Sequence, residues 1–136
     1  MKNSYQLILY IFVLILTGCY GKNIPLNGVV TFSDDNTPLT MGTVYLTSET
    51  FQASGHIQKD GSFIIGSEYP GNGIPPGTYK VSISGVYGKK GDVINSRNPN
   101  YSLIDAKWSS PQTSGMIITV DAKTRRLELK IDRNPK

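Results

Sequence analysis

The chain has 136 residues, 38% of them apolar and 18% charged, with a formal net charge of +4. That is room for one domain with its own core, and it excludes both a disordered tail and a multi-span membrane protein. A single cysteine, Cys19, and a single histidine, His56, leave almost no parts for Cys/His zinc sites or for Cys–His and Ser–His catalysis.

The segment Met1–Ser4 carries one lysine and no acid, and Tyr5–Leu16 is an apolar run broken by Gln6. That run falls short of the ~20 residues a spanning helix needs and fits the hydrophobic region of a cleaved export signal. The residues that follow, Leu16-Thr17-Gly18-Cys19, resemble the bacterial lipobox. The resemblance implies that Leu16 fills the aliphatic place and that Thr17 and Gly18 fill the small ones. Signal peptidase II would then release Cys19 as a diacylated first residue, with a further chain such as palmitate on its amine. Small side chains let an extended backbone enter a protease cleft, and a thiol is the side chain suited to a thioether. Two or three acyl chains anchor stably, at ~0.8 kcal/mol per buried CH₂.

The expected organisation is a signal peptide over 1–18, a lipidated cysteine and tether over 19–24, and one β domain over 25–133. Tyr20, rather than aspartate, follows the cysteine. By analogy with enteric bacteria this implies the outer membrane over the inner, the protein facing the periplasm or the exterior. With no second cysteine the domain gains no disulfide from an oxidising compartment.

After the cysteine, eleven isoleucines and seven valines stand against three alanines and six leucines, which favours strands over helices. Leu26, Gly28, Val30 and Phe32 share one face of a first strand that Asp34-Asp35-Asn36 ends in a turn. Val44 and Leu46 point inward from the next, with Thr43, Tyr45 and Thr47 outward. Phe51, Ala53, Gly55 and Ile57 line the inner face of a third, which leaves Gln52, Ser54, His56 and Gln58 outside. Lys59-Asp60-Gly61 reads as a hairpin turn into Phe63-Ile64-Ile65. A Gly/Pro-rich loop over Glu68–Gly77 precedes a strand with Tyr79, Val81 and Ile83 inward. The stretch Gly85–Gly115 is long, polar and weakly periodic. Met116, Ile118 and Val120 mark a sixth strand, and Leu127, Leu129 and Ile131 the inner face of a seventh. Seven short strands in ~110 residues predict an all-β, immunoglobulin-like sandwich.

Several of these segments resemble carboxypeptidase regulatory-like, or transthyretin-like, domains. Asn27-Gly28-Val29-Val30-Thr31-Phe32, then Pro38-Leu39 and Gly42-Thr43-Val44, match the opening of that family. Asp60-Gly61-Ser62-Phe63 and Pro76-Gly77-Thr78-Tyr79-Lys80-Val81 match its middle. Small planctomycete-type lipoproteins look similar throughout and end in a segment like Ile104–Gly115, where this sequence has Asp105 for the usual proline and Trp108 for tyrosine. The resemblance implies a transthyretin-like sandwich and says little about activity, because such modules serve many settings. A purine-pathway hydrolase on this fold needs several histidines, and only His56 is present.

No residue is assigned a catalytic role, and no metal or cofactor is expected. His56 reads as a solvent-facing histidine without partners. Asp34, Asp35 and Asp60 read as turn caps, since their spacing matches no calcium loop. A Lys–Asn isopeptide crosslink between the end strands is not expected, for the first strand has no lysine and Asn134 lies beyond the last. The basic pairs Lys89-Lys90 and Arg125-Arg126 are too few for a nucleic-acid footprint. The function implied is a lipid-anchored envelope protein, held to the membrane by its lipid, with a non-enzymatic role toward an envelope protein or surface polymer. The alternative is a carbohydrate-binding module in which the loop aromatics, Tyr101 and Trp108 above all, stack on sugars. Against it, large aromatics also fold back as plugs over a sandwich edge.

Overall fold

The alternation of apolar and polar residues produces seven strands in the computed structural model, which describes residues 22–87 and 102–135. They are β1 (Leu26–Phe32), β2 (Thr43–Thr47), β3 (Gln52–His56), β4 (Ser62–Ile65), β5 (Gly77–Ser84), β6 (Ile117–Val120) and β7 (Arg126–Ile131), with one 3₁₀ turn at Ala106–Ser109. Two sheets form the sandwich, one ordered β4-β1-β7 and the other β3-β2-β5-β6. All pairings are antiparallel except that of β1 with β7, which runs parallel from Asn27–Arg126 to Phe32–Ile131. The all-β sandwich and its seven strands agree with the pattern read from the sequence.

The inward faces are the expected ones. Leu26, Val30 and Phe32 of β1 are buried, as are Val44 and Leu46 of β2, Tyr79, Val81 and Ile83 of β5, and Leu127, Leu129 and Ile131 of β7. The other faces of β2, β5 and β7 are mostly polar, the period-two signature of a sheet with one wet side, while β4 and β6 expose Ile64 and Ile117. Gly28 faces inward for want of space. A β-carbon there would lie 2.4 Å from the Phe63 ring and 2.6 Å from the Leu127 carbonyl oxygen. The missing side chain lets the Phe63 ring lie flat across β1.

Three local expectations change. The Asp60-Gly61 turn forms, with Gly61 at φ +83°, but β3 and β4 belong to different sheets. The turn carries the chain across the sandwich, and periodicity could not show this because both strands alternate whichever sheet receives them. Ile24 belongs to the domain and not to the tether: it is buried and exchanges backbone hydrogen bonds with Ile74 at 2.7 and 3.1 Å. The described part of the polar stretch, residues 102–115, is built into the fold. Ile104 and Trp108 are buried, and the Asp105 and Asn134 N–H groups donate across to the Asp132 and Leu103 carbonyls.

Gly28→Ala should lower stability by about 1–3 kcal/mol through overpacking against Phe63, measured by urea denaturation. A change within the noise of the measurement would mean that the Phe63 ring is free to move aside within its sheet.

Candidate functional site

A concave feature among the described residues lies where β3 and β4 part company. The Gln58 N–H donates to the Ser62 carbonyl at 2.8 Å, and Ser54 and Gly66 exchange two backbone bonds of 3.0 Å. Between these closed rungs, no strand pairing joins His56 to Ile64 among the described residues. Each strand answers to its own sheet there, since His56 lies opposite Thr43 and Ile64 opposite Asn27. Gly55 keeps the splay narrow, because a β-carbon at that position would meet the Ile64 carbonyl oxygen at 2.6 Å.

The opening is a groove of about 410 Å³ lined by Thr43, Ser54, His56, Ile64, Glu68 and Tyr69, among others. Its lip is apolar and exposed: Ile64 shows 55% and Tyr69 64% of its surface to solvent. The loop that presents Tyr69 is held closed by Asn72, whose side chain accepts from the Ser67 N–H at 2.8 Å and donates to the Ser67 hydroxyl at 3.1 Å. Sequence reasoning places Tyr69 only within the Gly/Pro-rich loop over Glu68–Gly77 and misses the groove. A gap between two sheets has no local signature, although Gly55 facing inward on a strand was a hint of close approach.

His56 is on the outer face, as expected, but it does have a partner. Its Nδ1 lies 2.9 Å from the Thr43 hydroxyl on the neighbouring strand. This is a cross-strand pair of the usual kind. No carboxylate among the described residues hydrogen-bonds the ring's other nitrogen, the orienting role a third group fills in a triad. The groove therefore offers hydroxyls, an imidazole, the Glu68 carboxylate and an apolar lip.

Of the two rings named for the carbohydrate reading, the structure places Trp108 inside the core. Trp108 is only 4% exposed and belongs to the core cluster, so it cannot stack on a ligand from this position. The 3₁₀ turn carries it inward: the Asp105 carboxylate accepts from the Lys107 N–H at 2.9 Å and caps that turn. Its indole Nε1 is buried without an acceptor among the described residues, a cost that the burial of so large a ring outweighs. Lys107 sits over the ring, 5.2 Å from its centroid, and is ion-paired with Asp132. Tyr101 lies outside the described residues, as do Lys89-Lys90, the signal peptide and the lipobox Leu16, Thr17, Gly18 and Cys19.

The aspartates of the first turn are used internally. Arg133 donates to Asp34 and Asp35, both at 2.8 Å, and to the Thr37 hydroxyl at 2.9 Å. Its guanidinium also lies 3.7 Å from the Phe32 ring centroid. Asp35 takes two bonds from Thr37, at 2.7 Å from the hydroxyl and 3.0 Å from the N–H. These bonds, with Arg133 adding to them, hold its carboxyl down at about 2. Asp60 caps the Ser62 N–H at 2.9 Å. All three aspartates thus have structural partners.

No family model matches the sequence, and no curated protein matches it. Among solved structures, the chain is similar to a variant of the major pilin subunit of Bacillus cereus, with a TM-score of 0.48 and 13% identity. The match covers 83% of this chain and 30% of that one, so the chain spans less than a third of the pilin subunit's length.

Trp108→Ala should cost about 3–5 kcal/mol of stability, and Trp108→Phe less, because it removes the orphan donor along with the area; chemical denaturation measures both. For Asp35, the depressed folded-state value means that its contribution to stability is present above the ordinary carboxylate range. That contribution is lost as pH falls toward about 2. Carboxyl NMR titration should show Thr37→Ala raising the Asp35 pKa more than Arg133→Gln does, since the threonine bonds are the larger cause.

Proposed function

We propose that this chain is a lipid-anchored protein of the bacterial cell envelope that displays a non-enzymatic β-sandwich in a structural or protein-interaction role. The observation that carries this reading is the adjacency of the lipobox and the fold. Cys19 is the only cysteine, it directly follows the apolar run and two small residues, and the first core residue, Ile24, comes five positions later. In that reading the acyl chains sit in the cell membrane or outer membrane, and the sandwich faces the periplasm or the exterior.

The groove between β3 and β4 supports an interaction role. It brings two of the exposed large apolar side chains, Ile64 and Tyr69, to one lip, and such exposure on an otherwise alternating surface marks contact sites. The family resemblance of the sandwich adds the expectation of an accessory module and assigns no reaction. Trp108 is in the core, and of the two rings named for the sugar-stacking alternative the other, Tyr101, lies outside the described residues.

Cys19→Ser should abolish incorporation of labelled palmitate and leave the precursor uncleaved by signal peptidase II. The measurement is metabolic labelling followed by intact mass. Normal processing and labelling of that variant would sink the lipid-anchor reading.

A further inference from the structure

We propose that the end of the sandwich beside the tether docks on the headgroups of an anionic phospholipid bilayer, with Tyr69 and Ile64 entering the interface on its β3–β4 side and Lys22, Lys123 and Arg125 meeting the headgroups at the same end. This rests on the acylation of Cys19 argued above and adds which face of the protein the membrane meets.

The reach of the chain sets the orientation. From Cys19 to the buried Ile24 there are five steps, at most ~18 Å when fully extended. The eight-residue strand β5 alone spans ~26 Å. An anchor on Cys19 therefore cannot be led around to the opposite end, and the end where Ile24 enters stays at the bilayer surface.

That end has the character of a membrane-contacting surface. The Tyr69 loop is stitched to the tether: Ile24 and Ile74 exchange backbone bonds, the Asn23 side chain donates to the Asn72 carbonyl at 3.2 Å, and the Asn72 N–H donates to the Tyr69 carbonyl at 3.2 Å. Tyr69 is thus held beside the point where the chain leaves for the lipid. An exposed ring with a polar tip suits a headgroup layer, and Ile64 adds apolar area next to it. The β6–β7 turn lies at the same end, for Val120 pairs with Gly77 and the Asn27 N–H meets the Arg125 carbonyl at 3.4 Å.

The charges differ between the two ends. At the far end Arg133 is ion-paired with Asp34 and Asp35 and Lys107 with Asp132, Lys130 donates to the neutral Asn36 amide, and the exposed Lys59 stands in the same turn as Asp60. At the tether end Lys22 and Lys123 are exposed and make no ion pair among the described residues. Arg125 directs its guanidinium to the Ala122 and Thr124 carbonyls, at 2.6 and 3.1 Å, and keeps its charge unpaired by any carboxylate contact. The acids there are Glu49, Glu68 and Asp121, and Asp121 is turned onto the N–H groups of Lys123 and Thr124. Unpaired basic side chains near a lipid anchor gain from anionic headgroups, and the anchor holds them within the range where that field acts.

The test uses the acylated mature protein in vesicles of phosphatidylcholine alone or mixed with phosphatidylglycerol. With Cys19 acylated, Pro70→Cys or Lys59→Cys supplies the only free thiol, which carries a nitroxide at the tether end or the far end. On phosphatidylglycerol vesicles the label at 70 should be about tenfold less accessible to a water-soluble relaxing agent than the label at 59. The protection should weaken on phosphatidylcholine alone. It should also be lost in the Tyr69→Ser variant and when Lys22, Lys123 and Arg125 are changed to glutamate. Equal accessibility at 70 and 59 on acylated protein overturns the docking and leaves the groove to a soluble partner. Equal protection on both lipids overturns the assignment to anionic headgroups. Intact mass separates these from failure of the underlying reading, since a Cys19 without acyl chains removes the anchor and the orientation together.

Discussion

Everything in this molecule depends on β1 being a central strand although it is the first. It sits between β4 and β7, paired with one antiparallel and with the other parallel over six residues. A chain end is usually the part of a domain most prone to fray. Here Ile24 and Leu26 enter the core at once and are 6% and 2% exposed, so the first residues after the tether are among the best fixed. Parallel pairing with β7 also brings the two ends of the domain into one sheet, which makes the sandwich a closed unit with its entry point held from both sides.

The same arrangement accounts for the groove. With β1 filling the middle of the three-stranded sheet, β4 is left at an edge, and β3 is the corresponding edge of the four-stranded sheet. The chain passes from β3 to β4 along one side of the sandwich and from β6 to β7 along the other. Such crossings cover sheet edges that would otherwise present unpaired backbone to other chains. The crossing at β3–β4 remains a hairpin at its two ends, and its middle opens because the inward residues Gly55, Phe63 and Ile65 are drawn to different sheets. The opening is thus a by-product of closing a two-layer fold, and the exposed Ile64 stands where the ladder has no rung to offer.

Much of this was legible in the sequence because a half-buried strand writes its inner face into every second residue. Val44 and Leu46, or Leu127, Leu129 and Ile131, could be assigned from that rule alone. What escaped it was information that alternation does not contain. The sheet to which a strand belongs is set by non-local pairing, so Asp60-Gly61 looked like an ordinary hairpin when it is a bridge between layers. Residues 102–115 lack alternation because a 3₁₀ turn with a buried Trp108 has a different period. The partner of His56 was hidden because Thr43 is thirteen positions away in the chain and adjacent only across the β2–β3 ladder. Ile24 was assigned to the tether because a single apolar residue beside polar neighbours carries no periodic signal.

The distribution of charge shows how far sequence and fold are each insufficient alone. Along the chain, acids and bases are interspersed and the net charge of +4 suggests nothing specific. Folding sorts them: the β1 turn and the end of β7 meet, and Arg133 closes on Asp34 and Asp35, so charges nearly a hundred residues apart in the chain cancel at one end. The β6–β7 turn finds no such ion pair among the described residues, and Lys123 remains exposed at the same end of the sandwich as Lys22. A surface whose ion pairs among the described residues gather at one end, while Lys22, Lys123 and Arg125 stay unpaired at the other, has a direction. In the proposed lipid-anchored reading, the short span between Cys19 and Ile24 gives that direction a meaning, because the anchor would hold the end with the unpaired cations against lipid.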